Sequence, residues 1–213
     1  MKFRFAALLA LSLLGGCRTA GDITSENGGG VYAVRSACPI AGVPAATGDV
    51  TLFNPAGSTD SRTIDVTATI SDVRAVCQDG GTDVVSTATF TVVALRRDPG
   101  PARQVVLPYF DVALQGGTVV AAKRIGQAVI NFAPGDIHGW VRVQASVRVN
   151  RAAATLPANV REILTRERKP GDSEAAVDPL ADPAVRDAVA KATFEHLVGF
   201  QLTDDQLRYN ATR

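Results

Sequence analysis

Residues 64–77 read Ile-Asp-Val-Thr-Ala-Thr-Ile-Ser-Asp-Val-Arg-Ala-Val-Cys, and the fold class turns on how they are read. Ile64, Val66, Ala68 and Ile70 alternate with Asp65, Thr67 and Thr69. Successive side chains of an extended chain point to opposite sides, so a period of two marks a strand with one buried face and one wet face. At Ser71-Asp72 the phase changes, and the apolar positions become Val73, Ala75 and Cys77. One extra residue turns a strand's remaining side chains to the other face. The switch therefore predicts a β-bulge within one long strand, with a tight turn as the alternative.

The same grammar continues downstream. Gln78-Asp79-Gly80-Gly81 reads as a turn. Ala88, Phe90, Val92 and Ala94 then share one face, opposite Thr87, Thr89 and Thr91, until Asp98-Pro99-Gly100-Pro101 breaks the chain. Val106, Phe110, Val112 and Leu114 hold one phase, which places Phe110 rather than Tyr109 in the core. Pro108 has no N–H to give to a ladder, so this run is expected at a sheet edge or a bulge. Gln115-Gly116-Gly117 reads as a hairpin turn into Thr118–Lys123, and Ala128, Ile130 and Phe132 as a further short strand closed by Pro134-Gly135-Asp136. Val141–Val149 alternates most cleanly, with Val141, Val143, Ala145, Val147 and Val149 against Arg142, Gln144, Ser146 and Arg148. Seven or eight strands with turns every ten or so residues predict an antiparallel β-sandwich of immunoglobulin or fibronectin type, with a small β-barrel as the alternative.

Residues 151–191 depart from this pattern and read as a helical and loop insertion before the last strand. Asn159–Lys169 fits a short charged helix. Asp182-Pro183 gives the cap and first position of another, Pro183–Ala192. Phe194, His196, Val198, Phe200 and Leu202 then return to strand alternation. Thr203-Asp204-Asp205-Gln206 has the spacing of a capping box that opens a final helical turn.

The N-terminus gives an address. Lys2 and Arg4 precede the apolar run Phe5–Leu14, which meets small residues at Gly15 and Gly16 and then Cys17. Charge, a short apolar run and a small-residue cleavage region make a secretory signal. Ten apolar positions fall short of the ~20 needed to span a bilayer as a helix. Leu14-Gly15-Gly16-Cys17 resembles the lipobox of bacterial lipoproteins, although the motif more often has Ala or Ser at the place of Gly15. The resemblance implies cleavage before Cys17 and acylation of its thiol and amine. Membrane attachment through that lipid follows, since stable anchoring takes two chains or more. Arg18, in the place where Asp tends to retain lipoproteins of enteric bacteria in the inner membrane, implies the outer membrane. The expected organisation is a signal over 1–16, a Gly-rich tether over 17–30 and a sandwich domain over 31–213.

The mature chain is then within one charge of neutrality, which gives no general field for nucleic acid. With Cys17 taken by lipid, Cys38 and Cys77 are an even pair in an oxidising compartment, and a disulfide is expected between them. It would close a loop of ~40 residues, worth ~3–4 kcal/mol in the chain-entropy account.

The tail Leu197–Asn210, the stretches Pro108–Phe110 and Ala121–Lys123, and Asp72–Cys77 are similar to small uncharacterised lipoproteins of alphaproteobacteria. That resemblance implies a compact β fold and carries no activity. The chain has no HExxH, GxSxG or P-loop, and its two histidines, His138 and His196, have no sequence context that makes them ligands or bases. Asp79-Gly80-Gly81-Thr82-Asp83 is a fragment of a calcium loop without its remaining carboxylates, so it reads as a turn. The expectation is a non-catalytic, periplasm-facing envelope lipoprotein without cofactor or metal. Its body would contact an envelope protein, with Arg161, Arg166, Arg168 and Lys169 as the first surface to test. A glycan or small-ligand binding module is the alternative, ahead of an enzyme, for which nothing in the sequence speaks.

Overall fold

The computed structural model describes residues 36–166, 171 and 177–212. The expected signal, Cys17 and the tether lie outside the described residues, as do Arg168 and Lys169. The described chain forms β1 (Ile40–Gly42), β2 (Asp49–Phe53), β3 (Ile64–Asp79), β4 (Asp83–Arg96), β5 (Arg103–Gln115), β6 (Val119–Phe132), β7 (His138–Asn150) and β8 (Phe194–Phe200). Helices α1 (Ala158–Thr165) and α2 (Pro183–Lys191) lie between β7 and β8, and α3 (Asp204–Thr212) ends it. One sheet has the order β1-β8-β5-β6 and the other β2-β3-β4-β7. All pairings are antiparallel except β1 with β8. The sheets stay separate, so the expected sandwich is the architecture found, and the barrel is not.

The bulge falls where the phase switch put it. Ser71 lies opposite Thr91 and Arg74 opposite Thr89, so Asp72 and Val73 together face Phe90. Asp72 takes φ 51°, a left-handed conformation that short polar side chains tolerate, and its carboxylate receives Arg74 Nε at 2.8 Å. Before the bulge Val66, Ala68 and Ile70 enter the main core. After it Cys77 reaches a second, smaller core of Val84, Ala113, Val147, Val149, Ala154 and Phe194. Cys38 meets Cys77 there in a disulfide with Cα atoms 5.9 Å apart, as the pairing of the cysteines predicts.

Three expectations are corrected. β5 is an interior strand, not an edge. Pro108 is tolerated because it stands one residue past the Tyr109–Phe200 pair that ends the β8 ladder, where its carbonyl accepts from Gln201 N at 2.9 Å. The inward phase of β5 is Val105, Leu107, Tyr109, Asp111 and Ala113. Tyr109, not Phe110, therefore packs on the core, edge-on to Phe90 at 5.4 Å. Phe110 lies on the outer face over Gly199, with Lys123 above its ring. Thr118–Lys123 and the run to Phe132 are a single strand. Its centre carries Gly126 because a Cβ there would overlap the Tyr109 ring.

The insertion matches its signals in part. Asp182 Oδ1 accepts from Ala184 N at 2.8 Å, so α2 starts where the Asp-Pro pair puts it. Helix α1 ends at Thr165, short of the expected Lys169, because Arg166 is already extended. Thr203 and Gln206 form the reciprocal capping box, with bonds of 2.9 and 3.3 Å. At the end away from the disulfide Arg103 of β5 forks onto Asp65 of β3 at 2.7 and 2.6 Å and ties the two sheets together.

In the oxidised protein, Cys38→Ala should cost ~3–4 kcal/mol. An unchanged melting temperature, or two titratable thiols in the wild type, would contradict this. The Arg103 guanidinium holds the Asp65 carboxyl below the usual carboxylate range. A carboxyl lowered by folding stabilises above its unfolded pKa of about 4 and loses that contribution as pH falls through the folded value. Asp65→Asn should therefore reduce stability at neutral pH and flatten the acid limb of the stability curve. Parallel curves for the two proteins would count against the pair.

Candidate functional site

Three polar side chains meet in the interior. Ser86 lies on β4 between the buried Val84 and Ala88. His196 lies on β8 opposite Ala113, and Asp111 is one inward position further along β5. Ser86 Oγ is 2.9 Å from His196 Nδ1, and His196 Nε2 is 2.9 Å from Asp111 Oδ1. The chain of bonds runs from one sheet across to two neighbouring strands of the other. It separates the main core from the smaller one, since Val84, Ala113 and Phe194 lie on one side of it and Ala88 and Val198 on the other.

The donor inventory orders the protons. An ionised Asp111 can only accept, so Nε2 carries the hydrogen between it and the ring, and the Ser86 hydroxyl completes Nδ1. Asp111 also leaves its mark on Tyr109: burial first, and the Asp111 charge second, push that phenol up.

A serine, a histidine and an aspartate in one hydrogen-bonded line is the composition of a hydrolytic triad. Nucleophilic catalysis also needs a space ~3 Å from the hydroxyl and donors aimed at an oxyanion. Ser86 and His196 are each 0% exposed and Asp111 5%, and Val84 and Ala88, the neighbouring inward residues of β4, are equally buried. The surface clefts lie elsewhere. One of about 440 Å³ between β2 and α3 is lined by Phe53, Thr203 and Tyr209.

A second buried ion was not legible in the sequence. Arg96 at the end of β4 is 3% exposed, and its guanidinium donates to the carbonyls of Gly100, Pro101, Ala133 and Asp136. The same group lies 5.3 Å over the Phe132 ring. It closes the two loops that end the sandwich opposite the disulfide.

The residues singled out from sequence do not converge. His138 is exposed at the start of β7, paired with Leu95. It is nine ladder positions, roughly 30 Å, from the Ser86 level. Asp79 is taken by Arg151, and Asp83 lies 3.9 Å from Arg148, so the calcium-loop fragment is held by arginines. Arg161 and Arg166 are exposed on and just after α1, with Arg166 3.8 Å from Glu162. His196 falls on the inward face expected of it, but its partners Ser86 and Asp111 were missed. The signal was present as two polar residues in the buried phase of their strands.

These features define a two-sheet sandwich with a sealed polar layer through its core. No protein-family model, no curated protein and no solved structure matches the chain.

Replacing Ser86 with Ala should cost ~1–3 kcal/mol by leaving Nδ1 without a partner. His196→Leu should cost more, ~3–5 kcal/mol, because it strands the Asp111 carboxylate in the interior. Urea melts in which both variants match the wild type would refute the assigned network.

Proposed function

We propose that the protein is a lipid-anchored lipoprotein of the bacterial envelope, facing the periplasm, whose sandwich makes contacts and performs no catalysis. The observation that carries this is the run from Lys2 through Phe5–Leu14 to Leu14-Gly15-Gly16-Cys17. The Cys38–Cys77 disulfide supports it independently, because such bonds persist in exported proteins and are rare in a reducing cytosol. Burial of Ser86, His196 and Asp111 favours a structural role for the one constellation that could otherwise be read as an active site.

Mass spectrometry of the processed chain tests the anchor. The N-terminal peptide should begin at Cys17 and carry diacylglyceryl and acyl mass. Cys17→Ser should shift the protein from the membrane pellet to the soluble fraction. A different first residue, or a cysteine without acyl mass, would end this reading. A fluorophosphonate should leave Ser86 unlabelled in the native protein, and rapid labelling would reopen catalysis.

A further inference from the structure

We infer that the outer face of the β3-β4-β7 sheet around Trp140 binds an anionic, carboxylate-bearing polysaccharide. The inference names the ligand class for the contact role proposed above and rests on that role.

Trp140 is the chain's single tryptophan and is 69% exposed on a strand. Burying so large a ring is favourable, so one left out on the sheet surface calls for a partner. Its position is enforced from behind. The preceding residue is Gly139, where a Cβ would overlap Ile130, so β7 lies tight on β6 and turns the indole outward. Val93 lies directly across from Trp140, and Leu95 across from His138, both half-exposed. Arg142 is two residues along the same face, about 7 Å from Trp140. Among the described residues Arg142 makes no ion pair. The outward carboxylates of β3, β4 and β7 are each beside another arginine: Asp65 by Arg103, Asp72 by Arg74 and Asp83, at the far end, by Arg148.

These features select among occupants. A second copy would bring to this face carboxylates that its own arginines already hold, Asp65 by Arg103, Asp72 by Arg74 and Asp83 by Arg148. A protein partner needs roughly 800 Å² from each side, and the three partly exposed apolar side chains Trp140, Val93 and Leu95 supply far less. Seating them in acyl chains would strip water from the Thr69 and Thr91 hydroxyls beside them. A pyranose ring fits the same surface. Its C–H face stacks on the indole, the threonine hydroxyls and His138 meet its own hydroxyls, and Arg142 takes its carboxylate.

The lone tryptophan reports on its own site. Oligogalacturonate added to the processed, detergent-solubilised protein should change Trp140 fluorescence saturably. A neutral cello-oligosaccharide of equal length should bind much more weakly, and added salt should weaken the acidic sugar. Arg142→Ala should weaken binding by ~10-fold, the loss of one charged hydrogen bond. Calorimetry should show binding lost in Trp140→Ala and partly kept in Trp140→Tyr. Four results would overturn the inference: no response to oligogalacturonate, a response indifferent to Arg142, a blue shift with phosphatidylglycerol vesicles in place of sugar, or a fluorescence change on concentrating the protein alone. The N-terminal mass is measured separately, so failure here leaves the anchor standing, and loss of the anchor leaves sugar binding to be read by itself.

Discussion

One imidazole joins the two sheets. His196 reaches Ser86 in the opposite sheet and Asp111 in the neighbouring strand, and everything around that layer is apolar. Apolar layers tolerate exchange: a slip of two residues along a strand swaps one Val or Ala for another at small cost. At the polar layer the same slip would leave a carboxylate buried and unpaired, which costs several kcal/mol. The register of β5 on β8, and of both against β4, is thus pinned where hydrophobic packing alone discriminates least.

The two ends of the sandwich are closed by different means. At one, Cys38 is stapled to Cys77, and the Ala154 and Phe194 side chains cover the smaller core. At the other, Arg96 gathers four carbonyls from the β4–β5 and β6–β7 loops. A buried guanidinium without a carboxylate is stable only because fixed carbonyl dipoles replace its water, and these come from turns that Pro and Gly shape. The Gly100 carbonyl also accepts from Gly135 N at 2.9 Å, so a backbone bond and the guanidinium together bridge the two loops.

Most of this was written locally and could be read locally. The bulge at Asp72, the disulfide, the Asp182 cap and the Thr203–Gln206 box each depend on residues close in sequence or on cysteine parity. β5 was misread because its inward phase contains Asp111, and a reading by hydropathy moves such a strand onto its other face. The residue that makes Asp111 an interior group, His196, lies 85 positions away. β6 looked like two strands for a similar reason. Val119–Ile125 is exposed at every position and shows no alternation, so only its ladder with β5 reveals it as part of one strand. The Trp140 face was invisible as a site because outward positions obey no pattern that burial enforces.

The disulfide also gives the molecule a direction. It fixes the start of the described chain to the end of β3 that pairs with Ser86, while Trp140 lies seven ladder positions further along β7. Ser36 lies beside Cys38, Ala192 and Phe194, at the end that carries the smaller core and the close of α2. Roughly 20 Å or more of sheet then separates that end from the tryptophan. The helical insertion and the Trp140 face therefore lie towards opposite ends of the β4–β7 ladder, and a contact at one leaves the other open.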